Sequence, residues 1–167
     1  MNVDAIRHFY GYHFGMNRYI WDQYIVPLSQ EQYVQASTYS IGSVRDQIVH
    51  MVNVDETWFR QLGGLDFVDW RDPKAYADRD KLRAEWDQVE QMMRDYLADL
   101  RDEMLVTQPF PDHEEDKDLL LWQVLLHVVN HGTDHRAQLL RLLNDLGVRT
   151  GPQDYIFYAY EQPVKSS

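Results

Sequence analysis

Glycine and proline are few in this chain, 8 and 6 of 167 residues, and they come in clusters. Stretches such as Ser43–Leu62 and Lys74–Gln108 contain no breaker at all, so the chain must form long regular elements, and hydrophobic periodicity decides which kind. From Asp78 to about Glu103, Leu82, Trp86, Val89, Met93, Tyr96 and Leu100 recur every three or four residues, the stripe of an amphipathic helix. The same reading predicts a first helix over Asp4–Ile25, capped by Asn2 or Asp4 and stopped before Pro27. A second runs from near Ser43 to the Gly63-Gly64 stop, and a fourth from about Lys117 to Leu146, closed by Gly147. After Gly151-Pro152, Asp154 opens a short helix through Glu161, and Pro163–Ser167 is a tail. Ser29–Glu31, Leu65–Ala77 and the acidic run Asp112–Asp118 read as connections. No repeat and no strand-like alternation occurs. The expected fold is therefore all-α, a four-helix bundle with a short C-terminal helix, forming one domain over residues 1–167.

Charge and composition narrow what such a bundle does. Sixteen Lys and Arg against 27 Asp and Glu leave a net charge of −11, which argues against a nucleic-acid footprint and against docking to anionic lipid. Cysteine is absent, which excludes disulfides, thiolate metal sites and cysteine nucleophiles. Any metal must be held by histidine and carboxylate. The longest run of wholly apolar or aromatic residues is Tyr155–Tyr160, far short of the roughly 18 residues of a membrane span, and the N-terminus has no signal-peptide core. The cytoplasm is the expected location.

Of the 7 histidines, those of the fourth helix are the most informative. With Leu120 set at zero and about 100° per residue, His127, His131 and His135 project to about 340°, 20° and 60°. Val124, Val128 and Leu142 share that arc. Imidazoles in the middle of an apolar stripe need something to satisfy their nitrogens. His131 and His135 stand one turn apart and can face one ion; a pair of core histidines bonded to backbone or to a buried carboxylate would satisfy the pattern equally. His127, at the far end of about 12 Å of helix, suits a packing or supporting role. A third ligand must come from another helix, and His50, at the edge of the second helix's stripe, is the candidate. His8 and His13 lie among aromatics of the first helix as packing or hydrogen-bonding residues, and His113 lies in the acidic connection. Arg136 projects to about 160°, away from the histidines, and suits a dimer interface or an acidic partner.

The segment Leu126-His127-Val-Val-Asn130-His131-Gly-Thr-Asp134-His135-Arg136-Ala137-Gln138 resembles the fourth-helix signature of the DinB/YfiT-like superfamily, two histidines four apart followed by arginine. The resemblance covers nearly the whole chain. His50, followed by Glu56 and Trp58, is similar to the remaining metal histidine of the family's second helix. Asn17 matches an asparagine of its first helix, and Gly147, Pro152, Asp154 and Tyr158 match its close. Asp134 stands where many members have a further histidine, and Ala137 where many have glycine. The resemblance implies a metal site of His50, His131 and His135, with His127 in support, and a homodimer.

Three neutral imidazoles leave a divalent ion an open position, as in catalytic zinc sites, and nitrogen ligands suit Zn or Ni, with Fe or Co also compatible. Such a site activates water for hydrolysis or a small-molecule thiol for transfer, and the superfamily implies both chemistries: metal-dependent hydrolases and transferases that use a low-molecular-weight thiol. Glu56 and Asp134 are the candidates for a general base or proton shuttle. The expected partner is a small-molecule substrate or cosubstrate thiol. The contrasting reading is a non-catalytic metal-binding stress-response module acting through dimerisation.

Overall fold

The computed structural model describes residues 1–162; the expected tail at 163–167 lies outside the described residues. Six α-helices occur in the order α1 (Val3–Ile20), α2 (Gln30–Val34), α3 (Val44–Leu62), α4 (Arg79–Ala98), α5 (Leu121–Asp145) and α6 (Tyr155–Glu161). No strand occurs among the described residues. The four long helices form the bundle. α5 packs against both α1 and α3, and α3 also packs against α4. α4 closes the ring onto α1, where Trp21 meets Trp86 edge to face and the Arg18 guanidinium grips the Glu90 carboxylate at 3.0 Å.

Local chemistry sets the element ends. Asn2 caps α1 by accepting the Ala5 amide, and the helix runs into a π-helical turn, Trp21–Ile25, whose Val26 amide donates to Trp21 before Pro27 ends it. Ser43 and Asp46 bond reciprocally to each other's amides at the start of α3, a capping box. α5 ends where Gly147 takes a left-handed turn at φ +84°.

Three expected boundaries differ. α2, within the stretch read as connection, is a separate short helix because Ser29 and Gln32 build their own capping box. α4 stops at Ala98 rather than near Glu103. The Arg7 guanidinium reaches over from α1 and donates to the carbonyls of Leu97, Ala98 and Leu100, satisfying groups that another helical turn would otherwise have satisfied. α5 begins at Leu121 rather than at about Lys117, with the Gln123 side chain accepting the Leu120 amide and the Thr107 carbonyl accepting that of Leu121.

The core follows the predicted stripe of the third helix at Leu82, Trp86, Val89, Met93 and Leu100, all buried. It departs from the single stripe assigned to the fourth. Leu121, Leu125, Leu139 and Leu143 are as buried as Val124, Val128 and Leu142, because α5 is wedged between two helices and hides about half its circumference.

That wedge places Arg136, expected at the surface, fully inside. Its guanidinium donates to Asn17 Oδ1, Gln153 Oε1, Thr133 Oγ1 and Nδ1 of His13, at 3.0 to 3.2 Å, and its charged end lies 5.2 Å from the centre of the Tyr12 ring. Since guanidinium only donates, His13 Nδ1 must accept, which leaves the proton on Nε2 facing Asp55 Oδ2 at 3.3 Å. The chain Arg136–His13–Asp55 thus ties α5, α1 and α3 together through buried polar groups. His13 takes the hydrogen-bonding role expected of it, whereas Arg136, buried, offers no surface to a dimer interface or an acidic partner. Gly132 makes the approach possible: a β-carbon there would stand 2.7 Å from His13 Nδ1.

Candidate metal centre

One turn of α3 and two turns of α5 supply the site. His50 lies on α3 where that helix meets α5, and His131 and His135 project from successive turns of α5. Their ring centres are 5.2 Å (His50–His131), 4.5 Å (His50–His135) and 4.1 Å (His131–His135) apart. One ring nitrogen from each lies within 4.8 Å of the others. The Nε2 atoms of His50 and His131 are 3.2 Å apart, close to the roughly 3.3 Å edge of a tetrahedron with metal–nitrogen bonds of 2.0–2.1 Å.

Electrostatics keeps all three rings neutral. Burial holds the His131 pKa down at about 3, reinforced by His135 and His50. Burial also lowers His50, with His135 assisting and Asp55 opposing. His135 is lowered by burial against the pull of Asp134. Neutral imidazole is the form that ligates a cation. His131 Nδ1 is buried with no hydrogen-bond partner, and its Nε2 is the atom turned toward His50. Three neutral nitrogen donors converging on one point, with the His50–His131 separation close to a tetrahedral edge, fit a divalent cation.

A residue the sequence reading passed over holds the cluster in place. Gln47, fully buried on α3, brings its side-chain amide to 2.6 Å from His135 Nδ1 and to 3.3 Å from the His135 carbonyl. Its oxygen accepts from Ser40, which also contacts Gln138. Occupation of Nδ1 leaves Nε2 of His135 for the site, the outer contact that orients ligating histidines. Were Nε2 to hold a cation, Nδ1 would carry the proton and the Gln47 amide would have to turn its oxygen to accept it. Gln47 lies three residues before His50, one turn away on the same helix, a position that gains meaning only from the His135 ring opposite it.

The remaining predicted residues are distributed around the cluster. His127 is exposed rather than buried in the stripe, because the buried side of α5 is the one that carries Leu121, Val124, Leu125 and Val128; it meets the edge of Trp58, 5.3 Å between ring centres, and His131 at 6.0 Å, and it lines a cavity on the neighbouring face. Asp134 is exposed, beside His135, and accepts from Gln138 at 2.9 Å. Glu56 points elsewhere. Its carboxylate is held by Arg71, with Arg60 at 3.6 Å, and its hydrogen bonds do not reach the histidines. His8 packs on Tyr155 and Tyr158, and His113 is exposed. A cavity of about 580 Å³, lined by Phe9, Tyr12, Asn130, Thr133 and Tyr155 among others, opens on a different face of α5.

An all-α bundle in which two neighbouring helices present three histidines to one point defines a class of helical proteins with a candidate metal site. The family model of the DinB family matches residues 1–165, and the chain belongs to that family. Protein DinB of Bacillus subtilis (strain 168) is similar to it, 24% identical over 161 residues that cover 90% of this chain and 91% of that protein. No helix among the described residues is long and apolar enough to cross a membrane.

Proposed function

We propose that the protein holds one divalent metal ion, zinc or nickel in preference to iron or cobalt, on His50, His131 and His135, and uses it to activate a small nucleophile, with a low-molecular-weight thiol preferred over water. The observation that carries this reading is the set of three neutral imidazoles with nitrogens within 4.8 Å of one another and His131 held far below its usual pKa. When bound, the ion supplies an open coordination position that lowers the pKa of a water or thiol. Gln47 fixes the His135 ring, and the Arg136–His13–Asp55 chain fixes the helices that carry all three ligands. A thiol is preferred because neither candidate base stands ready for hydrolysis: Glu56 is committed to Arg71 and Asp134 to Gln138. The chain has no cysteine, so the sulfur arrives as a cosubstrate.

The test is metal content after reconstitution, with titration calorimetry of wild type, His50→Ala, His131→Ala and His135→Ala. One ion per chain is expected, with each variant weakened at least about 100-fold. Wild-type protein that takes up no divalent ion, or variants that bind as wild type does, would overturn the metal reading. Titration of the loaded protein with glutathione, bacillithiol or mycothiol then separates the nucleophiles. Saturable binding of one of them supports the thiol, and no binding of any turns the reading to hydrolysis or to a non-catalytic role.

A further inference from the structure

The loop over Leu65–Asp72 carries a side chain that the site has not yet used. Trp70 stands edge-on to His50, 5.7 Å between ring centres at 72°, and its indole N–H donates to Thr57 Oγ1 at 2.9 Å. The residue is 53% exposed, so the indole touches the cluster on one side and still offers surface to whatever enters. An exposed tryptophan on a loop would ordinarily move freely. This one adjoins the most heavily bonded loop residue in the region. The buried Asn53 accepts the Arg71 amide at 3.0 Å and donates to its carbonyl at 3.2 Å. The Arg71 side chain is then gripped by Glu56 from α3 and by Glu85 from α4, the latter at 2.8 Å. Asn53, Glu56 and Thr57 all belong to α3, one to two turns beyond His50. The helix that supplies a metal ligand therefore also fixes the loop that sets an indole beside it.

The geometry points to Trp70 as the specificity-determining residue of the centre, a fixed aromatic wall that favours a flat, aromatic organic group beside the histidines, with Asn53, Arg71 and Glu56 as the positioning residues that hold it there. The ligand preference rests on the metal reading above; the clamp does not. Glu56 thereby acts on the site through Arg71 and Trp70 rather than by moving a proton. A stacked or edge-on aromatic pair contributes a few-fold to about ten-fold in affinity, which sets the scale of the effect.

The probe is the full chain loaded with Co²⁺, titrated with imidazole and with 4-phenylimidazole, and read by the visible spectrum of the ion. Wild type should prefer the phenyl compound by about three- to ten-fold. Trp70→Ala should reduce that preference below about two-fold with Co²⁺ affinity unchanged, and Trp70→Phe should retain most of it. Glu56→Gln and Asn53→Ala should lower it partway. In the same two variants without metal, acrylamide should quench a larger share of the fluorescence that Trp70→Phe removes. A wild-type preference retained in Trp70→Ala would overturn the specificity role, and unchanged quenching in both clamp variants would overturn the positioning role. Should wild type take up Ni²⁺ but not Co²⁺, the same titrations are read on the Ni²⁺ spectrum; uptake of neither ion, nor of Zn²⁺, would overturn the metal reading and the ligand preference with it, while the quenching would still judge the clamp.

Discussion

Gly132 and Gln47 are the residues on which the centre turns, and neither carries chemistry of its own. Gly132 lies between His131 and the Asp134-His135-Arg136 run and lets the His13 ring approach the α5 backbone. Gly132→Ala should force α1 and α5 apart and destabilise the fold by about 1–3 kcal/mol, as over-packing does, measurable by urea unfolding of the metal-free protein. Gln47→Ala leaves the ligands in place but frees the His135 ring. Metal affinity should fall about 10- to 100-fold, with the unfolding midpoint of the metal-free protein moved far less than the affinity; an unchanged titration curve would count against the orienting role. The His131–His135 pair was legible in the sequence, because a four-residue spacing and a shared arc follow from helical geometry alone, whereas His50, 81 residues from His131, entered only as the histidine of another helix and through the family resemblance. Gln47 was not, because a glutamine on a helix signals nothing until the ring it meets on the neighbouring helix is known. Glu56 was misassigned for the related reason that its arginine partner lies on a loop 15 residues away.

At the scale of elements, caps and breakers marked helix boundaries wherever the deciding contact is local, and missed those set by distant groups. Asn2, Ser43 and Asp78 sit at the N-termini where local sequence places them, since capping is a contact between near neighbours. The end of α4 is set by Arg7, which is 90 residues away in sequence from the first carbonyl it satisfies, and no local pattern encodes that. α6 shows how a short helix depends on its seat. Tyr155 stacks on Phe9 at 4.7 Å and meets Tyr12 edge-on, while Tyr158 packs on His8 and Tyr12. A seven-residue helix has no stability of its own. Tyr155→Ala should therefore release α6, seen as faster amide exchange over Tyr155–Glu161 and faster proteolysis of the preceding linker, with the exchange of α3 and α5 unchanged.

For the whole molecule, the centre makes stability depend on pH. His50, His131 and His135 all have folded-state pKa values below that of a free imidazole, about 6.5. The unfolded chain therefore binds more protons in the window below about pH 6.5, reaching down to about pH 3 for His131, and folding stability rises with pH across it. The metal-free protein should lose stability on acidification through that window, and His131→Ala should flatten the dependence, as read from urea midpoints at a series of pH values. A bound divalent ion should add about 2.7 kcal/mol at a free concentration of 100 times its dissociation constant, and acidification should remove that increment as protons compete for the same nitrogens. The sequence by itself determined the helical class, the four long helices and the His131–His135 pair, because hydrophobic period, caps and a four-residue spacing are written in residues a few positions apart. The tertiary structure alone decided that α5 is buried on two sides, that Arg136 is a strut inside the bundle rather than a surface contact, and that Trp70 stands beside His50. Each of these depends on groups that are distant in the chain and become neighbours only when the helices pack.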